Sequence, residues 1–421
     1  MLKKYFLEEF GISRKDFFII FSLLLNAFVW YSMTLNIISN VSNTFVFTDT
    51  ETLTILATYH VAVIASSIAG SILSYKIRRV RFLYLWMFLG VVTSLLPFLI
   101  DVITITYVLG ICFLWGVSFG LGMPSCLAFF ADCSLIENRG RVSGIILFTI
   151  IISFFPVALL FKGIRVDLTT NYVISALWRT LGLIVFFLLK PEEKIATEVK
   201  KHIPFVSIFH NRHFILYFIP WVMFYLVDRS GESVLRTFLK TLFGANFYSF
   251  VQMTGPIIGS FSALIGGMLS DWIGRKRMVI FGFVALGLAY AVIGIAPTNL
   301  ISWYFYRITD GIAWGILSVS FILILWGDLS QLGAREKYYV IGSMPYFLTG
   351  VIQLLSAPYV TMIPPSAVFS LASFFLFVAV LPLMYAPETL PEKKIRLRQL
   401  RGYVEKAKKV RKKYLKKSGA S

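Results

Sequence analysis

The chain is predicted to be an all-α integral membrane protein, with twelve transmembrane helices in two pseudo-symmetric six-helix bundles. Three observations predict this. Of its 421 residues, 57% are hydrophobic and only 14% charged, with a mean hydropathy of +0.78, whereas soluble proteins carry roughly a quarter charged residues. Apolar runs near the length of about 20 residues that spans a ~30 Å hydrocarbon core recur twelve times. The longest polar interruption, residues 190–212, falls after the sixth run and divides the chain six plus six.

In the first half the runs cover 17–38, 51–74, 82–101, 104–131, 142–161 and 173–189. The first begins after Lys3, Lys4, Glu8, Glu9 and Asp16 and shows no small-residue cleavage site, so it is expected to be a retained helix rather than a removed signal. Lys76, Arg78, Arg79 and Arg81 separate the second run from the third, and Arg139 and Arg141 separate the fourth from the fifth. In the second half the runs cover 213–239, 247–270, 278–296, 301–327, 338–360 and 366–386, with Arg275, Lys276 and Arg277 before the ninth and Arg335 and Lys337 before the eleventh. The expected organisation is a bundle over 1–189, a linker over 190–212, a bundle over 213–387 and a tail over 388–421.

Basic residues in short loops mark the cytoplasmic side. The basic loops alternate regularly, while 40–49, 297–300 and 362–365 hold no Lys or Arg, so both termini are expected in the cytoplasm of a cell membrane. Lys162 and Arg165 are the main exception. The net charge of +19 would suggest nucleic acid in a soluble chain, but +10 of it lies from Glu388 to Ser421. That tail reads as a polybasic segment beside anionic lipid headgroups, where each basic residue contributes about 1 kcal/mol. No nucleic-acid partner is expected. Cys112, Cys126 and Cys133 share one apolar stretch without metal-ligand spacing and read as packing residues.

The two halves repeat one another. Gly116-x-x-x-Gly120 is followed by Asp132, Arg139 and Gly144, and Gly311-x-x-x-Gly315 by Asp328, Arg335 and Gly342. Small residues spaced by four let membrane helices approach closely, but close packing alone does not explain the aligned Asp and Arg. A duplicated six-helix unit does, a pattern common in secondary transporters.

Residues Gly266-Gly267-Met268-Leu269-Ser270-Asp271-Trp272-Ile273-Gly274-Arg275-Lys276-Arg277 resemble the loop signature of the major facilitator superfamily, G-x-L-x-D-x-x-G-R-K/R, at the position between the second and third helices of a half where that family carries it. Pro387-Glu388-Thr389 after the last run is similar to the ending of sugar-porter-like members. The resemblance covers essentially the whole chain and implies a general metabolite transporter that alternately exposes a midplane cavity to each side. It also implies a cytoplasmic gate of Gly267, Asp271, Gly274, Arg275, Lys276 and Arg277 with Arg139 and Arg141. A carboxylate at Asp271 suits the positive N-terminus of the fifth helix, near Arg141. The alternative is that these charges only set topology. The N-terminal copy, Gly70 to Arg79, keeps its basic residues but has no Asp, either Ser74 or Tyr75 standing in its place. One of two symmetric latches is therefore expected to be missing.

Charges inside the spans are the candidates for the transported solute and its coupling ion. If the seventh helix stopped before Asp228 it would have 15 residues from His213, about 22 Å at 1.5 Å per residue, too short to cross. Asp228, Arg229 and Glu232 are therefore expected to belong to it, with Arg236 in or near it, at about 2.5–3.5 kcal/mol for each charge at the bilayer centre. Gly231 offers a break point. Asp228 and Glu232, one turn apart, are expected to line the cavity, at least one of them exchanging a proton or pairing with a cationic group, with Arg229 and Arg236 as neutralising or anion-binding partners; the rival is a shallow segment whose arginines snorkel. Arg307 and Asp310 are spaced for an intrahelical pair, Arg179 reads as snorkelling to the outer surface, and the polar machinery is concentrated in the C-terminal half. Asn26, Trp30 and Tyr31 read as a cavity wall for a polar organic solute, or as ordinary packing.

The expectation is secondary active transport of a small polar organic solute, coupled to protons in the uptake direction, by a monomer without cofactor or metal. Export of a drug or metabolite on the same fold is the alternative. An integral membrane enzyme or a transporter-derived receptor are rivals of another class, the enzyme lacking any visible catalytic motif or phosphate-binding loop.

Overall fold

A computed structural model describes residues 12–45, 47–99, 104–163, 168–194, 203–331 and 333–391, with 400, 404, 407 and 408. The expected linker residues from 195 to 202 and nearly all of the basic tail beyond Pro391 lie outside the described residues.

Every described element is helical. In the first half they are α1 (Arg14–Thr44), α2 (Asp49–Lys76), α3 (Arg79–Leu95, continued by a 3₁₀ turn Leu96–Leu99), α4 (Ile105–Cys133), α5 (Arg139–Gly163) and α6 (Leu168–Leu189). The starts are chemically marked. Ser13 caps α1 by accepting from the Asp16 N–H at 3.0 Å, Thr48 and Glu51 form a reciprocal capping box on α2, and Thr104 accepts from the Tyr107 N–H on α4.

A one-turn helix α7 (Phe205–Phe209) leads into α8 (Arg212–Ile273), which holds the seventh and eighth runs together. Its 62 residues would extend roughly 93 Å as a straight rod at 1.5 Å per residue, about three hydrocarbon thicknesses. At Gly244 the backbone leaves helical geometry, with φ 85° and ψ 167°, a conformation that glycine adopts without steric penalty. The arms 212–243 and 245–273 each match one predicted run. The break expected at Gly231 is thus found thirteen residues later, because nothing at Gly231 interrupts the backbone ladder.

The chain continues through α9 (Arg275–Ile295) and α10 (Leu300–Ser318), which passes through a π segment (Val319–Ile324) into α11 (Leu325–Leu329). The eleventh run forms two pieces, α12 (Arg335–Phe347) and α13 (Thr349–Val360), and the last run forms α14 (Pro365–Val378) and α15 (Val380–Tyr385). Ten helices among the described residues are long and apolar enough to cross a membrane. The count is consistent with twelve crossings, since α8 contains two and the short pair α12–α13 is the eleventh.

The halves meet along two seams. In one, α5 packs on the second arm of α8; in the other, α12 and α13 pack on α2 and α4. The first seam is closed by bare backbone. A Cβ on Gly267 would lie 2.9 Å from the Gly144 Cα, and one on Gly144 would lie 2.9 Å from the Leu264 carbonyl oxygen. In a membrane, where the surrounding lipid removes the hydrophobic drive between helices, such close contact is the main source of association.

Candidate functional site

Two ion clusters join the halves at the face that carries α7, here termed the linker face. In the first, Asp328 at the end of α11 has a fully buried side chain and binds Arg139 of α5 and Arg275 of α9, the latter at 2.7 Å, while Thr389 donates to it at 3.2 Å. In the second, Asp132 at the end of α4, its side chain likewise buried, binds Arg79 of α3 and Arg335 of α12. Each aspartate thus holds one arginine of its own half and one of the other. The aligned Asp and Arg of the two repeats are brought together, but crosswise.

Asp271 adds to the first cluster. It sits at the start of α5, accepting the Gly140 N–H at 3.0 Å and the Arg141 N–H at 2.9 Å, with Arg275 at 3.3 Å. The helix N-terminus offers free N–H groups and partial positive charge, so a carboxylate there is stabilising. Gly274, at φ 112°, turns the chain from α8 into α9, as a left-handed position requires. Glu388 accepts the N–H groups of Arg275 and Lys276 at 2.9 and 3.2 Å, and the Lys276 ammonium donates to the Met384 carbonyl at 2.7 Å. The loop and the Pro387-Glu388-Thr389 segment are therefore one structure. Arg277 takes no part in these ion pairs.

The second cluster carries a latch of opposite polarity. Glu336, which follows Arg335 as Gly140 follows Arg139, lies in the first turn of α12 and accepts from the Arg79 Nε at 3.0 Å. The acid missing between α2 and α3 is supplied from across the seam, which the loop pattern alone could not reveal. Glu336→Gln is expected to lower stability by about 1.5–3 kcal/mol, the range for a hydrogen bond to a charged group, because Arg79 retains Asp132; thermal unfolding in detergent reads the change. Beside this face, Lys15 pairs with Glu192 and Lys194 with Asp16, each at 2.8 Å. Lys15 holds the Glu192 carboxyl below its usual range, and the hydrogen bond to Asp16 raises the Lys194 ammonium.

Within the membrane-crossing part, α8 and α10 bring together Asp228, Arg229, Glu232, Arg307 and Asp310. Asp228 is held by Arg229 at 3.1 Å and by the Trp314 indole N–H at 3.1 Å, with the Arg229 guanidinium over the Trp314 ring. Glu232 accepts from Gln252 at 2.9 Å, and Gln252 also donates to the Tyr248 hydroxyl. Arg307 and Asp310 pair at 2.7 Å, the guanidinium filling the place a side chain at Gly255 would take. Arg236 stands apart, exposed on the surface of the first arm.

The N-terminal residues divide. Tyr31 faces the other half, its ring 4.5 Å from Phe119 and 6.2 Å from both Tyr346 and Phe347 of α12; Tyr346 in turn stands 6.1 Å from Tyr225. This aromatic layer closes the space between the halves. Asn26 and Trp30 instead turn into their own bundle, so the cavity-wall reading does not hold for them. They hold Arg179, which is fully buried rather than snorkelling. Its guanidinium lies 4.4 Å from the Trp86 ring and 5.2 Å from the Trp30 ring and donates to the Asn26 Oδ1 at 2.9 Å. Glycines 90 and 182 leave the room: a Cβ on Gly90 would lie 3.0 Å from the Arg179 Cγ. Arg179 thus adds one buried cation of the first half to the charges on α8 and α10 of the second.

The family model described as Major Facilitator Superfamily matches residues 17–325. A search of curated protein sequences finds no match. Among solved structures, the fold is similar to the human organic anion transporter MFSD10 (TETRAN), at 13% identity over 88% of this chain and 99% of that one, TM-score 0.64. It is similar to the proton:xylose symporter XylE bound to 6-bromo-6-deoxy-D-glucose, at 15% identity over 91% and 97%, TM-score 0.66. FucP in its outward conformation shares 12% identity over 89% and 100%, TM-score 0.68.

Proposed function

The chain belongs to the Major Facilitator Superfamily, and on that premise we propose that it is a secondary active transporter of a small polar organic solute, coupled to protons in the uptake direction. The bundles over 1–189 and 213–387 rock against one another, with both termini in the cytoplasm of a cell membrane and the linker face as the cytoplasmic gate. The basic tail lies against anionic headgroups, and the monomer is the working unit.

One observation carries the coupling. In the crossing part of α8 and α10, two of three carboxylates, Asp228 and Asp310, pair with the guanidiniums of Arg229 and Arg307, while the third, Glu232, accepts from the Gln252 amide. An uncompensated charge inside a membrane span is costly, and a proton relieves it. Glu232 is the favoured carrier, because its partner is the neutral amide of Gln252 rather than a cation. A fold neighbour named as a proton:xylose symporter is in keeping with this reading.

In proteoliposomes with an imposed pH gradient, Asp228→Asn and Glu232→Gln are each expected to abolish accumulation of the transported solute, while Glu232→Gln retains exchange of labelled for unlabelled solute. Accumulation at the wild-type level in both variants would sink the proton assignment.

A further inference from the structure

The first arm of α8 turns Asp228 and Glu232 toward α10 and the second arm. On another flank the same stretch borders a cavity of about 370 Å³ between this arm, the end of α13 and α14. Met223, Val227 and Gly231 line it from the first arm of α8, Val360 from the end of α13, and Leu371 and Phe375 from α14. The lining side chains are apolar except for the Ser230 hydroxyl. The lining positions Met223 and Gly231 are about 12 Å apart along the arm. At Gly231 the wall is bare, since a Cβ there would meet only the Tyr290 hydroxyl, 3.8 Å away.

Two fillings are excluded on physical grounds. Water needs two to four polar partners to stay in a buried site, and apolar cavities remain dry. An empty space of this volume leaves its lining without dispersion contacts on one side, which is destabilising in proportion to the volume. The medium at its mouth supplies the third. Leu226, Leu371 and Phe375 line the cavity and are 46, 47 and 45% exposed on the outside of membrane-crossing helices, so the cavity opens onto hydrocarbon.

We propose that this cavity is a slot for one acyl chain of a bilayer phospholipid, held between α8, α13 and α14 as a bound lipid rather than as part of the mobile surrounding layer. Ser230 and Gly231 lie between Arg229 and Glu232 on the same turns, so the chain packs behind the segment that carries the ion pair. Chain length and unsaturation in the bilayer thereby reach that segment directly. The slot stands independently of the transport reading, since it rests on its volume, its lining and the exposure of that lining alone.

The test uses the full chain in phosphatidylcholine vesicles containing a trace of phosphatidylcholine with a diazirine on one acyl chain, irradiated without any gradient and mapped by mass spectrometry. Labelling of peptides covering 223–231 and 368–375 is expected to exceed that of the lipid-facing surface of α6 by about tenfold, the factor that 1.4 kcal/mol makes in a binding constant. Ala372→Trp and Gly231→Leu, which add bulk to the slot from α14 and from α8, are expected to remove the excess. Leu177→Trp, on the exposed face of α6, is expected to leave it unchanged. Each variant is first checked for an unchanged elution profile, and if Gly231→Leu fails to fold, Ala372→Trp decides alone. Even labelling around the protein, or an excess that survives filling, would overturn the proposal. So would displacement of the label by octanoate added to the water phase, which would assign the slot to a soluble amphiphile. A negative result leaves the transport assay untouched, and a failed transport assay leaves the labelling interpretable.

Discussion

Replacing Asp328 by alanine is expected to lower stability by about 3–5 kcal/mol, the effect of removing one partner from a buried ion pair, and to open the linker face. The residue holds two guanidiniums, those of Arg139 and Arg275, in surroundings with no exposure on either side of the Arg275 pair. Removing it leaves both cations buried, and the carboxylate that remains to Arg275 is the more distant Asp271, at 3.3 Å. The mutual repulsion of two arginines then favours any state that lets water in. Two measurements separate the effects. The unfolding midpoint in detergent reports the stability loss. Labelling of a Ser270→Cys variant with a water-soluble maleimide reports opening, because Ser270 is fully buried in the seam. If adding Asp328→Ala leaves the thiol introduced at position 270 as protected as before, the cluster stabilises the fold without acting as a gate.

The second large effect is expected at Arg179. Arg179→Ala should cost about 3–5 kcal/mol, the scale of truncating a large buried side chain. It removes the stacking on Trp30 and Trp86 together with the packing of the aliphatic stem. Arg179→Met should cost less, about 1–3 kcal/mol, since the volume is largely kept and the main deficit is the hydrogen bond to the Asn26 side-chain carbonyl. Replacing a buried charge by an apolar group of similar volume is often neutral or favourable, which opposes that deficit. Thermal unfolding of both variants decides between volume and charge. Equal destabilisation by Ala and Met would mean that the cation itself, stacked between two indoles, dominates.

The difference between these two sites shows what a sequence makes legible. Membrane spans follow from hydropathy because the cost of polar groups in hydrocarbon accrues residue by residue, so the crossing helices fall close to the predicted runs. Asp271 is legible because its partners, the first N–H groups of α5, follow from helix polarity and need no particular side chain. The cluster at Asp328 is half legible: the spacing of Asp and Arg in each repeat stands out, but the crossing of partners between halves depends on three-dimensional placement. Arg179 is not, because depth along one helix is a poor guide when the two tryptophans that enclose the side chain come from α1 and α3. Gly231 misleads for a related reason. A glycine permits a break, but the arm breaks where the chain must reverse, at Gly244.

The crosswise pairing has a further consequence. The end of α4 binds the start of α12, and the end of α11 binds the start of α5, so that element i of one half touches element j of the other, and j of the first touches i of the second. That is the defining relation of an isologous two-fold interface between identical subunits, here written within a single polypeptide. Within one polypeptide the two copies can differ at matched positions, as Gly140 and Glu336 do. A dimer of identical subunits would have had to place the acid in both halves or in neither.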